Sequence, residues 1–170
     1  SLQKDRQATM KNLLLLIALL APLPALAQSL VLVSIDGFRW DYIDRFDAPN
    51  MRRIAEQGVR ATRMTPVYPS NTFPTHLSMA TGLNPIEHGI VDNFFCDSNR
   101  DECYQMGDGV ADPTWISGIP IWTLVELRGH RAATYFWPES DARVEGLTPT
   151  YHLPFSKKDD YPARVAQVLR

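Results

Sequence analysis

Three short polar segments in the first hundred residues contain the side chains best suited to chemistry. Asp36 follows one apolar run, Asn71 and Thr72 precede a predicted helix, and Asn93 follows a shorter apolar run. A hydroxyl at a helix N-terminus lies near unpaired backbone N–H groups and the positive end of the helix dipole, which favour an anion. That anion would be the ionised Thr72 hydroxyl or a bound phosphate. The alternative is that Thr72 only caps the helix, as threonine often does.

The stretch Pro69–Gly82 predicts the helix that carries Thr72. Pro74 suits a first helical turn, apolar residues follow, and Gly82 is a typical C-terminal cap. The helix therefore begins at Thr72 or directly after it.

The elements before this helix predict an α/β fold. Leu30–Ile35 is a nearly continuous apolar run, typical of a strand buried on both faces of a parallel sheet. We expect a helix from Asp47 to Gly58 and short strands at Val59–Met64 and Ile90–Val91. Ligands of open α/β sheets gather at the carboxyl ends of strands, which makes Asp36 a candidate ligand. The alternative is an Asp-Gly turn that only ends the strand.

The second half of the chain continues the alternation of helix and strand. Residues 94–119 predict an irregular loop beside the site, of the kind that shapes a substrate pocket. We expect a helix at Pro120–Arg128, a core strand at Arg131–Trp137 and a further helix that begins near Asp160.

Several blocks of sequence, in a fixed order, resemble one known family. The spacing is 36 residues from Asp36 to Thr72 and 21 from Thr72 to Asn93. The blocks are Ser34-Ile35-Asp36-Gly37, Asn71-Thr72-Phe73-Pro74-Thr75-His76, Thr81-Gly82-Leu83 and His88-Gly89-Ile90-Val91-Asp92-Asn93. They resemble the N-terminal part of the nucleotide pyrophosphatase/phosphodiesterase family of the alkaline phosphatase superfamily. Trp137-Pro138-Glu139-Ser140 is similar to that family's Trp-Pro-Gly-Ser, with Glu139 in place of the glycine.

The resemblance implies an alkaline-phosphatase-like fold, a mostly parallel sheet with helices on both faces, and a two-zinc hydrolase. Asp36 and Thr72 would bind one of the two zinc ions, and the Thr72 oxygen would attack phosphorus to form a phospho-threonine intermediate. Asn93, with the backbone N–H of Thr72, would stabilise the phosphate oxygens. Phe73 would stack on the base or another apolar part of the substrate; the alternative is a core aromatic that anchors the helix.

The implied substrate is a small molecule that contains a phosphodiester or phosphoanhydride bond. The alternatives are another hydrolase of the superfamily, acting on phosphomonoesters, phosphonates or sulfate esters, or a non-catalytic fragment. The Thr-Phe-Pro sequence at Thr72 and the spacing of Asn93 favour the diesterase.

The sequence departs from the family in its metal ligands. The family supplies an Asp-x-x-x-His pair, an Asp-His pair and a late histidine, whereas here no aspartate precedes a histidine by four positions or by one. Arg170 falls inside a predicted helix. We therefore expect residues 28–170 to be the N-terminal part of a truncated catalytic domain, inactive in isolation.

None of the four histidines is expected to be a metal ligand. His76 lies four residues after Thr72 on the same helix, and His88 lies in a turn between Pro85 and Gly89. His130 follows the predicted helix at Pro120–Arg128, and His152 lies in a segment predicted to be irregular.

The charge of the chain argues against a nucleic-acid polymer as partner. The formal net charge is −2, and no basic stripe is present to neutralise a phosphate backbone. A substrate phosphate would have to be held by metals and backbone donors.

The first residues predict export. Residues Met10–Ala27 contain a lysine, an apolar run and a final Ala-Leu-Ala, which is typical of a cleavable signal peptide, with residues 1–9 upstream of the true start. We expect a secreted or periplasmic protein with no stable membrane span after cleavage. In an oxidising compartment Cys96 and Cys103 could form a disulfide, whereas in the cytosol they would stay reduced.

Overall fold

The structure is a computed structural model that describes residues 29–158 and 160–169. The predicted signal peptide and the residues upstream of it lie outside the described residues. The chain divides into two units, 1–35 and 36–170. Among the described residues, no helix has the length and hydropathy needed to cross a membrane.

The described part of the first unit, residues 29–35, is not a strand. Residues 29–35 have no regular structure, and Leu30, Val31 and Val33 are exposed. The predicted strand at Leu30–Ile35 is therefore wrong for this structure. Apolar side chains favour a strand, but only hydrogen bonds to a neighbour complete one, and this segment is in no ladder of the described chain.

The second unit alternates short helices with two small sheets. Its elements are α1 (Tyr42–Arg45), α2 (Pro49–Gln57), α3 (Thr72–Thr81), α4 (Pro85–His88), β1 (Phe94–Asp97), β2 (Glu102–Gln105), α5 (Asp108–Ala111), a 3₁₀ turn (Pro113–Trp115), α6 (Ile121–Leu127), β3 (Ala133–Tyr135), β4 (Tyr151–Leu153) and α7 (Tyr161–Val168).

The predicted helices are confirmed, because each has clear end signals in the sequence. Helix α2 begins at Pro49 and is capped at Gly58, and α3 begins at Thr72. Gly82 ends α3 with a φ of +73°, a conformation that costs glycine little. Helix α6 matches its prediction, and α7 begins after Asp160, whose side chain accepts from the backbone of Ala163.

Two predicted short strands are absent from the structure. Residues 59–64 and 90–91 have no strand structure, and Val59 is fully exposed. Ile90 is fully buried, but its backbone runs between two turns. A short apolar run indicates that a segment is buried or has a high strand propensity. Whether it forms a strand depends on hydrogen bonds to a partner segment elsewhere in the chain.

The loop predicted at residues 94–119 is ordered. Strands β1 and β2 form an antiparallel hairpin in which Cys96 lies opposite Cys103, and the two cysteines are joined by a disulfide. The disulfide is thus confirmed, whereas the expectation of an irregular loop is wrong. Residues 94–105 form the hairpin, and α5 and the 3₁₀ turn follow it within the same segment.

The only parallel pairing in the described chain joins β3 to β4. Ala133 lies opposite Tyr151, and Thr134 lies opposite His152. The strand predicted at Arg131–Trp137 is confirmed at Ala133–Tyr135, but its residues are exposed or half-buried, so the expectation of a core strand is wrong. His152 belongs to strand β4, so the prediction that it lies in an irregular segment is wrong. Strand β4 has only three residues and pairs with β3, which is distant in the sequence, so no local sequence pattern reveals it.

The hydrophobic core lies between helix α3 and the β1–β2 hairpin. The cluster comprises Leu77, Ile90, Tyr104, Trp115, Ile116, Ala142 and Val144, with Phe73 and Phe95 packed against it. Three of these rings, Phe95, Tyr104 and Trp115, contact one another with centroids 5.1 to 5.6 Å apart. This core holds the first turn of α3 beside the segment that carries Asn93.

Candidate functional site

The Thr72 hydroxyl contacts the Asp36 carboxylate. Its Oγ1 donates a hydrogen bond of 3.0 Å to Asp36 Oδ2, across 36 residues of sequence. Thr72 is the first residue of α3, and the cap position belongs to Asn71, whose side chain makes no capping bond. The hydroxyl of Thr72 therefore does not cap the helix, and it is held beside a carboxylate at the positive end of α3.

Asn93 contacts the same helix end, at the residue after Thr72. Its Oδ1 accepts a 3.0 Å hydrogen bond from the backbone N–H of Phe73. This bond fixes the orientation of the amide, so that its Nδ2 group points away from the Phe73 backbone. Within the described ranges, that Nδ2 group donates to no protein atom, so it remains a donor for a ligand.

Asp92 links the two segments, and sequence reasoning missed this role. Its Oδ1 accepts from Asn71 Nδ2 at 2.5 Å and from the backbone N–H of Asn93 at 2.6 Å. A carboxylate that accepts from both neighbours of the site fixes their spacing. The only signal in the sequence was the Asp-Asn pair itself, which also suits an ordinary turn.

The structure thus brings together all four residues that the sequence singled out. Asp36 and Asn93 each contact the first turn of α3, at Thr72 and Phe73 respectively. The Phe73 ring is half-buried and packs against the core cluster, as the alternative interpretation expected. Its remaining surface is available to a substrate.

Asp36 and Thr72 fit a divalent metal as two of its ligands. A carboxylate and a hydroxyl 3.0 Å apart are oxygen donors close enough to share one cation. Among residues 29–158 and 160–169, no group of three or more His, Cys, Asp or Glu side chains could hold a metal. Asp36 and Thr72 alone would be an incomplete set of metal ligands.

His76 supports the helix and is structural, as predicted. It is buried, and its Nδ1–H donates to the carbonyl of Thr72 at 2.7 Å, since a carbonyl oxygen can only accept. Its ring makes an edge-to-face contact with Trp137, with centroids 5.4 Å apart. His76 thus helps to fix the backbone at Thr72.

His88 is also structural and is fully buried. The backbone N–H of Ile90 donates to its Nδ1 at 3.2 Å, which requires the proton to lie on Nε2. Nε2 faces the Ser78 hydroxyl at 3.0 Å and the Pro74 carbonyl at 3.2 Å. Burial lowers the pKa of His88, and the bond to Pro74 only partly opposes this.

We expect acid to destabilise the protein through His88. The unfolded chain binds a proton near the ordinary value of 6.5, whereas the folded chain keeps His88 neutral to lower pH. The free energy of unfolding should therefore fall as the pH drops below about 6.5, by up to about 1.4 kcal/mol per pH unit. Denaturant titrations at about pH 7.5 and about pH 5.5 measure this slope.

The matched variants are His88→Gln and His130→Gln, the second at an exposed position. His88→Gln should flatten the slope, because a neutral amide cannot titrate, and His130→Gln should retain it. An unchanged slope in His88→Gln would show that other groups cause the acid sensitivity.

Glu139 is the functional candidate that the sequence reasoning left unassigned. It is 4% exposed, and its Oε1 accepts from the Tyr104 hydroxyl and from the backbone N–H of Gly107 at 3.1 Å. Burial raises the pKa of Glu139, while these donors act in the opposite direction. Burial also raises the pKa of Tyr104, so its proton stays on the hydroxyl and can be donated to the carboxylate.

The type I phosphodiesterase/nucleotide pyrophosphatase family matches the chain over residues 30–170. The chain belongs to this family. Venom phosphodiesterase 2 of Crotalus adamanteus is 40% identical over 144 residues, which cover 83% of this chain and 18% of the venom protein. As a family member, the chain is related to hydrolases of phosphodiester and pyrophosphate bonds.

Solved structures show the same fold. Human ectonucleotide pyrophosphatase/phosphodiesterase 5 matches with a TM-score of 0.77 and 32% identity, covering 84% of this chain and 38% of that one. An inactive threonine-to-alanine variant of the murine protein, in complex with AMP, matches with a TM-score of 0.73 and 30% identity over 80% of this chain and 37% of that one. The predicted alkaline-phosphatase-like α/β fold is thus confirmed for the part of the family domain present here. The chain spans about a fifth of the length of the curated relatives it matches.

Proposed function

We propose that the protein is a zinc-dependent phosphodiesterase or nucleotide pyrophosphatase that acts through a phospho-threonine intermediate at Thr72. The observation that carries this proposal is the Thr72 hydroxyl, held at the N-terminus of α3 and 3.0 Å from the Asp36 carboxylate. Residues 28–170 would form the N-terminal part of the catalytic domain.

Thr72 would act as the nucleophile. Its oxygen forms a bond to phosphorus while the bond to the leaving alcohol or phosphate breaks, and the proton leaves with solvent. Water then attacks the phosphorus of the phospho-threonine, the bond from phosphorus to the Thr72 oxygen breaks, and that oxygen takes up a proton as the phosphate monoester is released. A free threonine hydroxyl is a weak nucleophile at neutral pH, so the anion-favouring end of α3 contributes directly to its reactivity.

Asn93 would stabilise the negative charge that builds up on the phosphate oxygens. Its Oδ1 is already bonded to the Phe73 N–H, which leaves the Nδ2 group as the donor to the substrate. The backbone N–H of Thr72, in the first turn of α3, would provide a second donor. Donors fixed before the reaction need no reorganisation as the charge develops.

Zinc would be held in part by Asp36 and Thr72. When bound, zinc acts as a Lewis acid that stabilises an oxyanion at neutral pH and neutralises substrate charge. The oxygen donor pair in the structure supports this assignment, and the family relation supports the remainder of the metal site.

The substrate would be a nucleotide or another small phosphodiester. Phe73, which is partly exposed beside Thr72, would contact a base, and the related murine structure contains AMP. A net charge of −2 does not favour a polyanionic polymer.

The protein would act outside the cytosol. The sequence pattern at residues 10–27 supports a cleaved signal peptide, and the Cys96–Cys103 disulfide is typical of an oxidising compartment. The names of the relatives, which include venom enzymes and ectoenzymes, agree with a secreted or periplasmic location.

The test compares two chromogenic substrates on the protein expressed from its complete reading frame. With zinc, bis-p-nitrophenyl phosphate should be hydrolysed at least about tenfold faster, in kcat/KM, than p-nitrophenyl phosphate, since the site is proposed to favour diesters. A chelator should remove the activity, and zinc should restore it. A preference for the monoester, or activity that survives chelation, would contradict the proposal.

A further inference from the structure

The backbone at Glu139 adopts a conformation that its side chain does not favour. Its φ is +59°, a region that residues other than glycine rarely occupy. Glu139 is also 4% exposed, so both its backbone and its charge are in an unfavourable environment. A residue kept at such a position is held by specific interactions of its side chain.

The Glu139 carboxylate organises the turn that follows strand β2. Its Oε1 accepts from the Tyr104 hydroxyl and from the backbone N–H groups of Gly107 at 3.1 Å and Gly109 at 3.4 Å. A Cβ at position 109 would lie only 2.7 Å from Glu139 Oε2. Because Gly109 lacks that atom, the carboxylate can approach the backbone there. The turn 104–109 is therefore shaped around one carboxylate.

This turn is joined directly to the catalytic segment. The backbone N–H of Met106 donates to the Asn93 carbonyl at 3.0 Å. The Asn93 side chain in turn accepts from the N–H of Phe73, the residue after Thr72. Two hydrogen bonds thus connect the turn to the first turn of α3.

We propose that Glu139 is a positioning residue which, by holding the turn 104–109, fixes Asn93 against the N-terminus of helix α3. Glu139 does not touch the substrate, and its effect reaches the site through Met106 and Asn93. The catalytic consequence rests on the proposed function, whereas the structural connection does not.

Four variants separate the effect of the carboxylate from that of the backbone. Glu139→Gly removes the carboxylate and relieves the backbone, while Glu139→Gln keeps an acceptor oxygen for Tyr104 and Gly107. The matched control is Glu145→Gly, because Glu145 also has a positive φ, of +53°, but is exposed. Gly109→Ala crowds the carboxylate without changing Glu139, although it also crowds the Ile116 side chain, and it serves as the second disrupting variant if Glu139→Gly does not fold.

Hydrogen exchange of single amides in the full-length protein tests the connection. In Glu139→Gly, the Met106 and Phe73 amides should both exchange about tenfold faster. Without the carboxylate the turn 104–109 is no longer held, so the hydrogen bonds that these two amides donate to Asn93 should open more often. The Leu124 amide, bonded to Pro120 within α6, should keep its rate. Glu139→Gln and Glu145→Gly should resemble the wild type, and Gly109→Ala should resemble Glu139→Gly.

The proposal fails if Phe73 keeps its rate while Met106 accelerates, because the connection would then end at the turn. It also fails if Leu124 accelerates equally, because the variant would then only be less stable. In the phosphodiesterase assay, kcat of Glu139→Gly should fall about tenfold with a smaller change in KM. The kcat of Glu139→Gln should stay close to the wild-type value. A wild-type protein without activity would refute the proposed function, and the exchange rates would still decide the role of Glu139.

Discussion

Replacement of Thr72 by alanine should lower kcat for phosphodiester hydrolysis by about 10³-fold or more, because it removes the proposed nucleophile. The fold should survive. The Thr72 hydroxyl makes one hydrogen bond, to the exposed Asp36 carboxylate, and it makes no capping bond to α3. Steady-state kinetics with bis-p-nitrophenyl phosphate, together with a denaturant titration, measure both effects.

Two further variants make the Thr72 result specific. Thr72→Ser keeps a hydroxyl at the same atom and should retain measurable turnover and a phosphorylated intermediate that mass spectrometry can detect. Thr75→Ala removes a hydroxyl one turn further along α3 that bonds to no described residue, and it should keep the wild-type rate. If Thr72→Ala still hydrolyses the diester at a comparable rate, another group is the nucleophile.

The helices could be predicted from the sequence because their signals are local. Pro49 and Gly58 lie at the two ends of α2, and Gly82 ends α3 in the left-handed conformation. Such signals act within a few residues and need no information about the rest of the fold.

The strands could not be predicted with the same success because pairing is not local. The apolar run at 30–35 is in no ladder, whereas residues 94–97 and 102–105, within a segment predicted to be irregular, form a hairpin. In the hairpin, the burial of Tyr104 on one face and the disulfide determine the arrangement more than strand propensity does.

Site residues could be predicted where the residue type itself indicates a chemical role. They were missed where the role depends on which groups surround the side chain in the fold. Asp36, Thr72 and Asn93 were identified from the resemblance, and the structure places them at one helix end. The roles of Asp92 and Glu139 depend on which donors surround each carboxylate. A sequence shows that Glu139 replaces the glycine of a family motif, but not that Tyr104 and two glycine amides face it.

Replacement of Asn93 by aspartate should separate its two roles. Aspartate keeps an acceptor for the Phe73 N–H, so the free energy of unfolding should change by no more than about 1 kcal/mol, since a carboxylate is tolerated at a helix N-terminus. Aspartate lacks the Nδ2 donor and adds a negative charge facing the phosphate. We therefore expect kcat to fall by about 10²- to 10³-fold.

The comparison with Asn93→Ala and Asn99→Asp decides how Asn93 acts. Alanine removes the acceptor as well as the donor, so Asn93→Ala should lose both turnover and stability. Asn99→Asp adds the same charge in the turn between β1 and β2 and should change neither. If Asn93→Asp keeps near-wild-type turnover while Asn93→Ala does not, then Asn93 only holds the backbone of α3, and the charge on the phosphate must be stabilised by other donors.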